Sequence, residues 1–297
     1  LNCNNEDSDK PYVNEFIKNT SANNFKIIQV KEVYEAIDSL KDGKSPGIDN
    51  VQSEHFQYAG DKLRIYITML LNAIFIHGHL PKELMETAIV PIIKNKKGII
   101  TDKDNYRPIA ITTVMSKLLE LILLVRMETQ LKTTDNQFGF KTGHSTDLCV
   151  YAMKNVIEYY NRHGTPVYVC LLDASKAFAR INYWKLFRKL IGRNIDHIIL
   201  RLIVYWYCHQ TMCVKWGNSY SSFFKVTNGV RQGGILSPIL FNMYMDDLSI
   251  ILTDTKIGCN INGTFVNHLI YADDTCILTP NPSALKKLLD VCTKFAI

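Results

Sequence analysis

Carboxylates stand at the ends of apolar runs in two places. Asp173 closes Tyr168-Val-Cys-Leu-Leu-Asp173, and Asp273-Asp274 interrupt Leu269-Ile-Tyr-Ala-Asp-Asp-Thr-Cys-Ile-Leu278. Both runs read as buried strands. A buried strand avoids charge unless something neutralises it, and a bound cation is the obvious candidate. Two such strands side by side would bring carboxylates from distant parts of the chain together. Phosphoryl-transfer enzymes use that arrangement to hold two divalent ions roughly 3.5–4 Å apart. Hard oxygen ligands without imidazole favour Mg²⁺ or Mn²⁺ over Zn²⁺.

The elements that must position these groups follow from the apolar spacing. Val30–Leu40 and Leu63–His77 have helical periodicity, and Thr87–Lys94 and Arg107–Ile111 read as strands. A long helix is expected from about Thr113 to Lys132, and another from Ser145, a good N-cap, to about Arg162. Val167–Leu172 is a strand ending at Asp173, helices are expected within 183–209, and Asn228–Pro238 is a loop opening the helix Ile239–Leu252. Ile257–Asn262 and Val266–Ile270 flank Asn262-Gly263 as a hairpin, a second hairpin carries Asp273-Asp274 at its tip, and Ser283–Phe295 is a final helix. With no internal repeat and no Ser/Gly linker, the expectation is one continuous α+β body.

Charge is unevenly distributed over the 297 residues. Residues 1–80 carry 8 Lys/Arg against 11 Asp/Glu, and residues 81–297 carry 26 against 17. Within 183–231 there are eight cations (Lys185, Arg188, Lys189, Arg193, Arg201, Lys215, Lys225, Arg231) and one acid, Asp196, interleaved with Tyr205, Trp206, Tyr207, Trp216, Phe223 and Phe224. Such a stretch suits a phosphate backbone and its bases, and equally a solvated basic helix face with core aromatics. Eight cysteines lack a repeating spacing, and most sit in apolar runs, which points to buried thiols in a reducing compartment. Cys208-His209 and Cys213 lack the fourth ligand and the paired spacing of a zinc site. No signal peptide or membrane span is visible, so the expected location is intracellular, nuclear or cytoplasmic.

Six segments occur in one order: Ser45-Pro-Gly-Ile-Asp49, Asn105-Tyr-Arg-Pro-Ile-Ala-Ile111, Gln137-Phe-Gly-Phe-Lys-Thr-Gly-His-Ser145, Asp173-Ala-Ser-Lys-Ala-Phe178, Asn228-Gly-Val-Arg-Gln-Gly-Gly-Ile-Leu-Ser-Pro238 and Tyr271-Ala-Asp-Asp274. Taken together over about residues 40–297, they resemble the reverse transcriptase domain of non-LTR (LINE-like) retrotransposons. The resemblance implies a right-hand polymerase with fingers and palm, an antiparallel palm sheet with packed helices, and the thumb absent from the chain. It implies a flexible N-terminal segment 1–25, an N-terminal extension and fingers over 26–165, and a palm over 166–297, with a helical basic segment 183–231 between the metal strand and the nucleotide loop.

By the same resemblance Asp173 and Asp273 are metal ligands and Asp274 supports them. Phe178 is the aromatic beneath the sugar that excludes a 2′-hydroxyl, and Gln232 and Gly233 pack against the incoming base and sugar. Arg107, Lys141 and Lys117 face the triphosphate, with Asn242 and Lys176 as weaker substrate contacts. The implied cofactor is Mg²⁺ (or Mn²⁺), and the implied partners are an RNA template, a DNA primer and dNTP, with no membrane. One departure stands out: where the family pattern has an acid after the gate aromatic, this chain has Ala179. The alternatives are a nucleic-acid-binding relic without turnover, an RNA-making polymerase, which Phe178 disfavours, and a two-metal nuclease, which does not call for the Gln232 loop.

Overall fold

The computed structural model describes residues 8–19 and 26–296. In chain order the helices and strands are α1 (Asp9–Asn19), α2 (Val30–Asp38), α3 (Ser53–Tyr58), α4 (Asp61–His77), α5 (Lys82–Met85), β1 (Glu86–Ile93), β2 (Tyr106–Thr112), α6 (Val114–Arg126), α7 (Thr146–Arg162), β3 (Tyr168–Asp173), α8 (Ala177–Arg180), α9 (Tyr183–Gly192), α10 (His197–His209), β4 (Thr211–Trp216), β5 (Ser219–Tyr220), β6 (Phe224–Lys225), α11 (Ser237–Asp254), β7 (Cys259–Ile261), β8 (Thr264–Val266), β9 (His268–Tyr271), β10 (Asp274–Thr279) and α12 (Pro282–Ala296). They divide into two compact units, each built from two stretches of chain. Unit 1 takes in residues 1–130 and 178–237, and unit 2 takes in residues 131–177 and 238–297.

Unit 1 is organised around one mixed sheet. β1 pairs antiparallel with β2 and parallel with β4, and β5 and β6 both pair with β4. The residues of α10 are apolar nearly all round, and so this helix is buried: Ile198, Ile199, Leu200, Leu202, Ile203, Val204, Trp206 and Tyr207 all lie in the core. Asp196, the lone acid of the basic stretch, is its N-cap and accepts from Ile198 and Ile199 N–H. Residues 211–225 depart from the expected helical basic segment: Thr211-Met-Cys-Val-Lys-Trp216 is rich in strand formers and turns back at Gly217, whose φ is +59°.

In the segment expected to be flexible, Asp9–Asn19 is a helix whose buried Asp9 forms an ion pair with Arg188. The remaining residues of that segment lie outside those described, apart from Ser8.

Unit 2 carries a three-stranded antiparallel sheet in the order β3-β10-β9. One cluster on it joins Leu269, Cys276 and Leu278 to Val156 of α7, Cys259 and Phe138. The other joins Ile277 to Leu248 and Leu252 of α11 and Leu288 of α12. β10 is buried from Thr275 to Thr279, as a strand covered on both faces should be, which accounts for its apolar run; β3 lies at the sheet edge and departs from the expected buried strand, with Leu171 75% exposed. The expected strand Val266–Ile270 splits at Asn267, because β8 hairpins with β7 while β9 pairs with β10. Asn267 is buried between the two pairings: its side-chain amide donates to Leu252 O at 2.6 Å and Ile257 O at 2.8 Å, while its backbone O accepts from Leu278 N–H at 2.9 Å. The seven described cysteines are all free, and burial pushes the Cys259 and Cys276 thiols up to about 11. No helix among the described residues is long and apolar enough to cross a membrane.

Candidate active site

The acidic residues meet through the register of β3 and β10. Asp173 is directly opposite Asp274, Leu172 opposite Thr275 and Leu171 opposite Cys276. Residues directly opposite on an antiparallel pair share a face, so Asp173 and Asp274 lie side by side. Asp273 is the neighbouring tip residue of the β9–β10 hairpin, closed by the Tyr271–Asp274 pair. Asp173 and Asp274 are exposed and Asp273 is half-buried. Burial, and then the charges of Asp273 and Asp173, raise the Asp274 carboxyl above its ordinary value. The three side chains are not gathered around one point: among the described residues no three His, Cys, Asp or Glu side chains are placed to hold one ion.

The segment Gln137–Phe140 holds the hairpin in place. Phe138 N–H donates to Ile270 O at 2.7 Å, and Ile270 N–H donates to Asn136 O at 2.8 Å, extending the sheet beside β9. At the tip, Ala272 N–H donates to Gln137 Oε1 at 3.0 Å and Gln137 Nε2 donates to Ala272 O at 3.3 Å. Ala272 has φ +56°, a conformation that costs a non-glycine residue roughly 1 kcal/mol, and both of its backbone polar groups are pinned there. Gly139 approaches so closely that a Cβ would stand 2.3 Å from Ala272 N. Asn242, a weak substrate candidate from sequence, is instead buried and donates to Gly139 O at 2.7 Å.

Unit 1 brings three other motifs together through backbone hydrogen bonds. Val230 N–H donates to Phe178 O at 2.8 Å, Gly229 N–H to Ile181 O at 2.7 Å, and Ala110 N–H to Gln232 O at 2.6 Å. The Phe178 segment, the loop 228–233 and the edge strand β2 are therefore tied together through their backbones. Gly229 (φ +84°) sits against Ala179, where an added Cβ would lie 2.8 Å from the Ala179 Cα, and a Cβ at Gly233 (φ +111°) would lie 2.8 Å from Ala110 O. Asp173 falls in unit 2 and Phe178 in unit 1.

The cations divide. Arg107 is exposed on β2 opposite Ile92, with no ion pair among the described residues. Lys141 spends its three donors within its own loop, on Thr133 O (3.0 Å), Thr134 O (3.0 Å) and Asp135 Oδ1 (2.8 Å). Lys117 is half-buried on α6, and desolvation lowers its pKa against the opposing pull of Glu120 and Asp49. In the basic stretch, Arg188 pairs with Asp9, Arg201 donates to the carbonyls of Phe75 and Ile76 at the end of α4, and Arg231 is buried. Trp206 and Tyr207 are core residues, while Trp216, Phe223 and Phe224 remain exposed.

The sequence reading passed over Glu120. It is fully buried on α6, accepts from the Arg231 guanidinium and takes the N–H groups of Ile235 (2.5 Å) and Leu236 (3.2 Å). A single carboxylate inside Leu118-Leu119-Glu120-Leu121-Ile122 is the same signal that marked Asp173.

Residues 93–297 match the family described as Reverse transcriptase (RNA-dependent DNA polymerase). The chain belongs to this family. Among curated relatives, the chain is 26% identical over 91% of its length to the RNA-directed DNA polymerase from mobile element jockey of Drosophila funebris. It is 30% identical over 75% of its length to the probable RNA-directed DNA polymerase from transposon BS of Drosophila melanogaster. It spans 30% and 25% of the length of those relatives, respectively. Among solved structures, apo telomerase from Candida tropicalis truncated from its C-terminal domain superposes with a TM-score of 0.52 at 15% identity, covering 77% of this chain and 51% of that one. That likeness supports the fingers-and-palm polymerase fold. Reverse transcriptases generally work with divalent metal ions.

Proposed function

We propose that this reverse transcriptase chain performs RNA-directed DNA synthesis for a retroelement of the non-LTR type, adding dNTP to a DNA primer 3′-hydroxyl on an RNA template. The observation that carries the reading is the β3–β10 register, which places Asp173 beside Asp274 and next to Asp273 although they are about a hundred residues apart in sequence. The donor types suit divalent cations: three hard carboxylates, one of them raised by burial and then by its like-charged neighbours, a penalty that Mg²⁺ or Mn²⁺ would relieve. When bound, such ions lower the pKa of the attacking hydroxyl and neutralise charge on the leaving pyrophosphate.

The chain's own residues supply position. Phe178, whose carbonyl accepts from Val230 N–H, would be the aromatic that refuses a 2′-hydroxyl. Gln232 and Gly233, fixed on the β2 edge, present backbone to the base and sugar. Arg107 is the cation available to the triphosphate, Lys117 would act from α6, and Lys141 would have to leave its three loop acceptors to join them. The half-buried Lys215 and the exposed Lys225 with Trp216, Phe223 and Phe224 are suited to the nucleic-acid strands.

Primer extension on an RNA template with dNTP and Mg²⁺ tests this. The parent chain should extend the primer and Asp273→Asn should lose about 10³-fold of that rate. Equal signal from both overturns the enzyme reading and leaves the nucleic-acid-binding relic. Comparable use of ribonucleotides would remove Phe178 from the role of gate.

A further inference from the structure

We propose that Glu120 is a positioning residue for the incoming nucleotide, anchoring the loop 231–236 through the backbone N–H groups of Ile235 and Leu236, with Arg231 as its counter-ion. The inference rests on the reading of Gln232 and Gly233 as nucleotide contacts. Glu120 belongs to α6, more than a hundred residues upstream of the loop it holds. Its Oε2 accepts both N–H groups, its Oε1 accepts from Arg231, and the Arg231 guanidinium lies 4.5 Å from the centre of the Trp206 ring. Ile235 and Leu236 immediately precede α11, where N–H groups lack partners within the helix and the helix dipole favours negative charge.

One carboxylate thus holds the loop at residue 231 by its side chain and at residues 235 and 236 by the backbone. Between these points Gln232 O is bonded to Ala110 N–H, and Gly233 rests against Ala110 O. The two residues read as nucleotide contacts are therefore fixed from both sides. A loop set before the ligand arrives spares binding the entropy of ordering it. An ion pair kept only for stability could be replaced by apolar residues without consequence for the ligand. An anchor could not, because the two N–H groups would lose their acceptor.

Two double variants of the full 297-residue chain separate these roles. Glu120→Leu with Arg231→Met removes charge and acceptor together, whereas Glu120→Gln with Arg231→Met removes the charge and keeps an acceptor oxygen. Melting temperature, residue-resolved amide exchange and Mg²⁺-dATP affinity by equilibrium dialysis are read on each. Exchange at Ile235 and Leu236 should quicken about tenfold or more in the Leu variant only. Affinity for dATP should fall about tenfold in the Leu variant and stay within about twofold of the parent in the Gln variant. In the parent itself these two amides should exchange about tenfold more slowly than that of the exposed Ser222, a measurement that stands even if the Leu variant does not fold.

Unprotected amides in the parent, or dATP affinity unchanged after the acceptor is lost, would overturn the assignment. A parent that binds no dATP defeats the nucleotide reading itself, and the exchange data then still report whether the anchor exists.

Discussion

The carboxylates are not the only titratable residues whose environment matters. His268, the first residue of β9, is fully buried, and burial pushes its imidazole from 6.5 down to about 4. Asn267 already donates its amide to two carbonyls, so its Oδ1, 2.7 Å from His268 Nδ1, accepts the imidazole proton. Nε2 is left as the acceptor for Ser249 Oγ (2.7 Å) and Asn136 Nδ2 (3.1 Å). The folded state thus keeps this ring neutral where the unfolded chain would protonate it. Its stabilisation is complete above about pH 6.5 and is lost as pH falls toward 4. Urea unfolding at pH 7 and pH 5 should show the parent losing about 2 kcal/mol more than His268→Gln over that interval. Parallel losses would mean that the ring is not held neutral.

At the scale of elements, the Asp273-Asp274 hairpin depends on its neighbour, the segment Gln137–Phe140. Gly139→Ala would drive a methyl into the Ala272 backbone, which has nowhere to move without displacing Asp273, so a loss of about 2–3 kcal/mol is expected together with loss of primer extension. Gly143→Ala is the matched control: its φ is +77° with nothing within 4 Å, so it should cost about 1 kcal/mol and leave extension intact. Equal melting and activity in the two variants would show that the close approach at Gly139 is not needed.

The elements around the acids were legible because each stood in a run whose period or composition was unambiguous. The β7–β8 turn followed from Asn262-Gly263, which adopts φ of +51° and +88°. The break at Asn267 was not legible, since Val266-Asn-His-Leu-Ile270 reads as one strand and nothing local marks the change of partner from β7 to β10. Lys141 and Arg231 read as cations for phosphate, and no local pattern reveals that their partners are two loop carbonyls and Asp135 in one case and a carboxylate 111 residues away in the other.

Across the whole molecule, chain order does not follow the two units. The run from Phe178 to Ser237 clusters with the first 130 residues, while Asp173 and the Asp273-Asp274 hairpin cluster together, each unit being assembled from distant stretches. Long-range pairing of this kind leaves no periodic trace in sequence, and here it became visible through the six ordered motifs. The positive surplus of residues 81–297 is likewise only partly free, since Arg231 is buried against Glu120, Arg201 donates to backbone carbonyls and the exposed Arg188 is paired with Asp9.

The central claim is that strands about a hundred residues apart share divalent cations through Asp173, Asp273 and Asp274. Titration with Mn²⁺, followed by the electron paramagnetic resonance signal of the free ion, measures this directly. The parent should bind Mn²⁺ in competition with Mg²⁺, with Asp173→Asn and Asp273→Asn each weakening binding about tenfold or more and Asp274→Asn weakening it less. Binding that survives Asp173→Asn and Asp273→Asn unchanged would contradict the account.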